Sequence, residues 1–181
     1  ESLASGEAVL TAEEKALGTA LIDIGGGTTD LAVFAENNIK HTFVLALGGN
    51  NLTNDIAIGL RAPHAEAEKL KTRFGTCLSR RVSPDDTIEV PGVGGRDARN
   101  LPRQILGEIL EPRMEEIFTL LKREIYRAGL EHAIPSGLVL TGGTSLLEGA
   151  AEIAETVFNL PTRLGRPRGI NGLVDVVNNP M

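Results

Sequence analysis

The chain has 181 residues, 41% of them hydrophobic and 3% aromatic, and its 24 acidic against 18 basic side chains give a formal net charge of −6. This suffices for one sizeable core or two small ones, and no run approaches the roughly twenty apolar residues of a membrane-spanning helix. An acidic balance with few aromatic rings argues against nucleic acid as a partner, since both the basic footprint and the stacking platforms are missing.

The chain opens at Glu1 with neither a signal-peptide pattern nor an initiator methionine, so Glu1 reads as a cut point. Residues 5–10 are helix-compatible, and Thr11 with Glu14 forms a capping box for a short connecting helix through Leu17 that Gly18 ends. The apolar run 20–24 then carries one acid, Asp23, and meets Gly25-Gly26-Gly27-Thr28-Thr29 before alternation resumes at Leu31 and Val33. Strand, tight turn and strand are expected. Glycines bring backbone amides to a surface with no Cβ in the way, which suits phosphate oxygens. Thr28 and Thr29 add hydroxyls, and Asp23 stands at the mouth of the strand, where an acid holds a hydrated Mg²⁺ against phosphates. The same glycines also suit an ordinary hairpin, in which they supply only twist. A Walker loop is excluded, because no Gly-Lys-Ser/Thr follows and the turn leads into a strand.

After a turn at Glu36-Asn37-Asn38 a third strand is expected over 39–47. Gly48-Gly49 breaks it, and 51–60 reads as a helix with Leu52, Ile56 and Leu60 on one stripe. Pro63 resets the chain before a helix over 64–74 that Gly75 stops. On it Glu68 and Lys71 share a face, a spacing that by itself describes a solvated ion pair. Turn signals over 79–103 surround short strands at 87–90 and near 96–101, which suggests a small inserted lobe. Residues 103–130 read as one long helix that Pro112 should kink. Beyond Pro135, a strand at 138–140 runs into a second glycine turn, Gly142-Gly143-Thr144-Ser145, where Ser145 and Glu148 form a capping box expected to open a helix over 145–158. A short edge strand over 162–164 precedes a turn-rich tail from Arg166. The single cysteine, Cys77, forbids an internal disulfide and fits a reducing compartment. His41, His64 and His132 are scattered and form no metal cluster. Arg96, Arg99, Arg103 and Arg113 concentrate on the inserted lobe and Arg163, Arg166 and Arg168 near the end; either group also reads as solvated surface.

On these residues the chain resembles the superfamily of actin, the sugar kinases and the 70-kilodalton heat-shock proteins: residues 20–34 resemble its second phosphate-binding loop, and Leu140-Thr-Gly-Gly-Thr-Ser145 its adenosine loop. The wording from Ser5-Gly-Glu-Ala-Val-Leu10 to Gly169-Ile-Asn-Gly-Leu-Val-Asp-Val-Val-Asn-Asn-Pro180 is similar, over essentially the whole chain, to the second half of the FtsA family of bacterial cell-division actin homologues. The resemblance implies an α/β fold, the second half of an actin-like (ribonuclease-H-like) ATPase, with a mixed sheet, flanking helices and a small inserted subdomain. The larger subdomain would hold 1–62 and 104–181, and the smaller one 63–103 with part of the long helix.

It further implies an ATP cleft between domains, with Asp23 reaching Mg²⁺ through water. The cleft would be lined by Gly25, Gly26, Gly27, Thr28 and Thr29 at the phosphates, by Glu68 and Lys71 at the ribose, and by Gly142, Gly143, Thr144 and Ser145 at the adenosine. The first phosphate loop and the group that positions the attacking water would belong to the other half, so this fragment is expected to bind ATP·Mg²⁺ weakly or not at all and to turn none over. The family's members polymerise and tether FtsZ filaments to the cytoplasmic face of the inner membrane at the division site. The FtsZ C-terminal tail would meet Arg99, Asn100, Arg103 and Arg113, and the membrane would be reached only through an amphipathic helix absent from this chain. The alternative is half of another member of the superfamily: a rod-shape or pilus-assembly actin homologue, or a sugar or acyl kinase, which needs a second substrate pocket with a catalytic acid.

Overall fold

The computed structural model describes residues 2–166. Its framework is a five-stranded mixed sheet in the order β3-β2-β1-β6-β7. β1 (Thr19–Ile24), β2 (Thr29–Ala35) and β3 (Asn38–Leu45) form an antiparallel meander. β6 (Leu138–Thr141) and β7 (Thr162–Leu164) add in parallel to the other side of β1. β1 and β2 are buried almost throughout, as central strands with both faces covered must be, whereas edge strand β3 alternates exposed and half-buried positions. The two-residue turn at Glu36 and Asn37 has φ of 53° and 60°, the geometry of a primed hairpin turn whose twist matches its strands.

Side-chain alternation assigns the two faces. Ala20, Ile22, Ile24, Leu31 and Val33 point into the main core, against α3 (Gly49–Leu60), the 24-residue α5 (Gln104–Arg127) and α6 (Ala150–Phe158). Leu21, Ala32, Phe34 and Val139 point the other way, onto Val9 and Leu10 beside α1 (Ser2–Val9). Asp23 has the parity of Leu21 and so belongs to the α1 side, where its Oδ2 accepts a 3.0 Å hydrogen bond from Ser5 Oγ. The capping box of α2 (Ala12–Leu17) is formed in full between Thr11 and Glu14.

A two-stranded sheet of β4 (Thr87–Val90) and β5 (Arg99–Pro102) lies beside α4 (His64–Phe74). Its inward residues Ile88 and Val90 join the main core, so both sheets share one apolar interior. Strand β3 stops two residues short of the expected end, and β5 begins three residues later than expected. α5 runs unbroken through Pro112, which lies on its exposed side together with Glu108, the residue whose carbonyl it leaves without a donor. The helix expected to open at Ser145 begins instead at Ala150. Gly149, at φ 87°, interrupts the chain, Ser145 Oγ turns back onto the Gly142 carbonyl at 2.7 Å, and residues 143–146 form one 3-10 turn. Arg168 and the stretch 169–180 lie outside the described residues.

Arg163 fastens β7 to the connecting segment. Its guanidinium grips Glu14 with two 2.6 Å hydrogen bonds and donates to the Val9 carbonyl at 2.9 Å. This bidentate grip, with the Thr11 backbone and hydroxyl, outweighs burial and holds the Glu14 carboxyl below the usual range. A depressed carboxylate stabilises the fold above its unfolded pKa and loses that contribution as pH falls through the folded one. Arg163→Ala is therefore expected to cost about 1–3 kcal/mol at neutral pH, and to flatten the loss of stability below pH ~4.3. Urea unfolding of both proteins across the acid range measures this, and parallel curves would refute the coupling.

Candidate functional site

Three glycine-containing turns converge at the end of the sheet where β1 and β6 finish. The first, 25–28, is closed by a 3.0 Å bond from the Gly25 amide to the Thr28 carbonyl. Its carbonyls face inward: Gly25 O accepts from the Gly49 amide at 2.9 Å and from Thr144 Oγ1 at 3.1 Å, and Gly26 O accepts from the Asn50 amide at 2.7 Å. Two amides that helix α3 would otherwise leave unsatisfied at its N-terminus are thus met by the turn. The amides of Gly26, Gly27 and Thr28 are left on the opposite side, donating to no other described residue. The amides of Gly143 and Thr144 are likewise unengaged among the described residues.

Glycine is required where these turns touch. A Cβ on Gly48 would come within 2.8 Å of the Gly25 and Gly26 carbonyls, and one on Gly49 would strike Thr144 Oγ1. Gly142 sits at φ 86°, with Ile24 O and Asp23 Oδ1 each 2.5 Å from where its Cβ would be. Gly27 and Gly143 face open space, with nothing within 4 Å.

The turns border a cleft of about 740 Å³ whose other wall is α4 and the loop after it. Of the residues expected at the site, Gly25, Gly26, Glu68, Lys71, Gly143 and Thr144 line it. Asp23, Gly27, Thr28, Thr29, Gly142 and Ser145 do not. Thr29 is fully buried and spends its hydroxyl on the Leu47 carbonyl at 2.8 Å. Lining residues not expected from the sequence include Asn50, Gly75, Leu146 and Leu147, with Thr72, Arg73 and Glu148 beside them. The sequence carries a signal for the first, since Gly48-Gly49-Asn50 is a third glycine turn after a strand, although locally its glycines do no more than break that strand.

Lys71 is 7% exposed and makes three contacts: 2.9 Å to the Gly49 carbonyl, 2.8 Å to Thr53 Oγ1 and 2.8 Å to Glu68 Oε2. Its charge is committed to bracing α4 against the N-terminal turn of α3. Glu68 also accepts from the Thr53 hydroxyl and keeps an exposed edge in the cleft. Burial pushes the Glu68 carboxyl up, but the Lys71 ammonium and the Thr53 hydroxyl together hold it below its ordinary value, so it is ionised at neutral pH. Nearby Cys77 is buried among Glu111, Glu148 and Glu152, which drives its thiol up to about 12 and leaves it inert.

The arginines expected to act together are divided. Arg99 donates to the Leu60 carbonyl, and Arg113 chelates Asp55 at 2.7 and 3.1 Å, so both reach α3. The Asp55 carboxylate raises the Arg113 pKa further. Arg103 lies on the cleft side, bonded to the Phe74 carbonyl at 2.9 Å and to Glu148 at 2.6 Å. Asn100 is exposed on β5.

Residues 20–181 match the family model described as Cell division protein FtsA. Over the full chain, it is 52% identical to the cell division protein FtsA of Pseudomonas aeruginosa PAO1, covering 43% of that protein. It is 42% identical to FtsA of Escherichia coli K12, with 98% of the chain and 44% of the relative covered, and 39% identical to that of Bacillus subtilis 168, with 94% and 38% covered. The chain thus spans less than half the length of the curated relatives it matches. Among solved structures, MreB 5 of Spiroplasma citri bound to AMPPNP superposes with a TM-score of 0.70 at 22% identity, over 91% of this chain and 51% of that one. A PilM–PilN type IV pilus biogenesis complex gives 0.63 at 20% identity, over 86% and 38%. These likenesses establish the actin-like ATPase fold.

The glycine geometry separates turn architecture from turn surface. Gly142→Ala, forced to φ > 0 against a backbone carbonyl, is expected to destabilise the chain by more than about 1 kcal/mol. Gly27→Ala should stay within about 0.5 kcal/mol of the parent. Chemical denaturation of the two variants decides this, and equal costs would contradict the packing described.

Proposed function

The chain belongs to the FtsA family, and from that premise we propose that it forms one wall of an ATP·Mg²⁺ cleft in a cell-division scaffold that polymerises and links FtsZ filaments to the cytoplasmic face of the membrane. The observation that carries the nucleotide reading is the outward set of free amides at Gly26, Gly27 and Thr28 beside a cleft of about 740 Å³, within the range that holds nucleotide-sized ligands. Amide donors fixed by a turn whose carbonyls are already bonded elsewhere meet phosphate oxygens without reorganising. The unengaged Gly143 and Thr144 amides, with Leu146 and Leu147, offer a polar edge and an apolar wall to the adenosine. The ionised Glu68 offers a carboxylate to the ribose hydroxyls.

The residues present also fit the metal, in a limited way. Asp23 stands directly opposite Asp30 across the β1–β2 pair, and the described residues contain no group of three or more His, Cys, Asp or Glu able to hold an ion. One carboxylate suits a Mg²⁺ that keeps its waters and rides on the phosphates, neutralising their charge. Asp23 would act through water, its Oδ2 oriented by Ser5. Lys71 acts indirectly: it fixes Glu68 and the start of α3 and so positions the turn.

For the partner, Arg99, Asn100 and Arg113 are the donors that an acidic FtsZ tail would meet through charge-assisted bonds, the tail carboxylates competing with Asp55 and Glu116 for Arg113. Arg103 contributes from the cleft side. Among the described residues no helix is long and apolar enough to cross a membrane; attachment would run through the amphipathic helix that the family resemblance implies.

In the whole protein, Gly27→Val is expected to weaken ATP·Mg²⁺ binding at least tenfold, about 1.4 kcal/mol, while the 181-residue chain with the same change keeps its melting temperature. Isothermal titration and thermal unfolding read the two effects, and unchanged affinity would remove phosphate from this turn. Arg99→Glu with Arg113→Glu should abolish binding of a labelled FtsZ tail peptide in fluorescence anisotropy. Arg127→Glu, 82% exposed at the far end of α5, is the matched control, because Arg163 is structural. Retained binding in the double variant would place the peptide elsewhere.

A further inference from the structure

Helix α1 carries one hydroxyl to the end of β1. Half-buried Ser5 donates from Oγ to Asp23 Oδ2 at 3.0 Å, and the other oxygen, Oδ1, faces the second glycine turn, 2.5 Å from where a Cβ on Gly142 would stand. The carboxylate is thereby held between α1 and the turn after β6. Asp30 lies directly opposite it in the β1–β2 register, on the face that looks toward α1. Among the described residues Asp23 accepts a side-chain hydrogen bond only from Ser5, and Asp30 only from Thr28 Oγ1 at 3.4 Å, so no basic group separates the two acids. Like charges directly across a strand pair repel, and without the Ser5 donor the Asp23 carboxylate is free to rotate away from Asp30.

The position of Ser5 is fixed by the rest of its segment. A Cβ on Gly6 would come within 2.5 Å of Phe34 Cζ, so α1 rests with its backbone directly against that ring of β2. At the other end of the helix the Val9 carbonyl accepts from Arg163 at 2.9 Å, and Glu7 pairs with Lys15 at 2.7 Å. The Phe34 contact sets the height of α1 above the sheet, and the polar contacts set its position along β1.

We infer that Ser5 is a positioning residue for the metal, and that docked α1 sets how strongly Mg²⁺ is held separately from how strongly the phosphates are held. This role rests on the water-mediated contact of Asp23 with Mg²⁺ proposed above. The two affinities are separable because the amides of Gly26, Gly27 and Thr28, the phosphate donors of that reading, make no bond to α1. A serine hydroxyl has one proton to give, and Ser5 gives it to Oδ2, which leaves Oδ1 free to accept from a metal-bound water. A carboxylate already held in one orientation meets a hydration shell without first losing rotamer freedom.

The affinity of the whole protein for AMPPNP is measured by isothermal titration in excess Mg²⁺ and in EDTA, and the ratio of the two dissociation constants reports the coupling of metal to protein. Ser5→Ala is expected to reduce that ratio about fivefold, the scale of one side chain left to be immobilised, by weakening the Mg²⁺ measurement while the EDTA measurement holds. Ser5→Thr, which keeps the hydroxyl, should restore the ratio. Gly6→Val, which lifts α1 off Phe34 and takes Ser5 with it, should reproduce the loss and add little to Ser5→Ala, as expected of two changes acting through one contact. If Ser5→Ala does not fold, Ser5→Cys, a weak donor of similar shape, is titrated in its place. An unchanged ratio, equal losses in both measurements, or no recovery with Ser5→Thr would overturn the role of Ser5 alone, provided that the parent binds AMPPNP with Mg²⁺. A parent that binds no AMPPNP would remove the nucleotide reading and this role with it.

Discussion

The structure turns on the direction in which the carbonyls of Gly25 and Gly26 point. Both face inward, onto the first amides of α3 and the hydroxyl of Thr144, and with those bonds made the following amides point away from them, toward the open side of the turn. A peptide unit exposes its donor on the side away from its acceptor, so satisfying the carbonyls internally orients the amides outward. The absence of Cβ at Gly48 and Gly49 makes the approach possible, because either methyl would collide with the atoms that close the contact. One set of hydrogen bonds therefore joins the hairpin, the start of α3 and the loop after β6.

Lys71 extends the arrangement. A nearly buried ammonium is tolerated because all three of its protons have acceptors, and two of these, the Gly49 carbonyl and Thr53 Oγ1, belong to the first turns of α3. Its charge lies near the end of a helix that carries positive potential, an unfavourable placement that Glu68 offsets. The same pairing keeps Glu68 ionised and aimed at the cleft. The cleft wall is thus held by a charge that is itself unavailable to a ligand, which changes how a Glu and a Lys three apart on a helix should be read: one is presented and the other presents it.

The arginines show the same limit of linear reading. Arg99, Arg103 and Arg113 look like one basic patch in the sequence, yet Arg103 sits at the start of α5, tied to Phe74 and Glu148, while Arg99 and Arg113 reach α3. Arg163, equally plain as a surface residue, secures β7 to the segment before β1 through Glu14. Long flexible side chains commit to whatever acceptor the fold brings near, and proximity in sequence does not say which.

What the sequence determined is what local chemistry enforces. Glycines between apolar runs had to turn, Thr11 and Glu14 had to cap, and the near-continuous apolar strands at 20–24 and 138–140 had to be central, so the mixed α/β fold and the two first glycine turns were legible, together with a family resemblance that the comparisons bear out. Only the tertiary structure decided the rest. The motif at Ser145 and Glu148 satisfies the local rule for a helix start, but Glu148 is drawn to Arg103 and the strand-like contact at Thr76, and Gly149 delays the helix to Ala150. Asn50, Leu146 and Leu147 came to the cleft because separate elements were packed side by side. Capping and turning are settled within a few residues. Which polar atom meets which, and which is left without a partner, depends on contacts between residues far apart in the chain, and no local pattern encodes them.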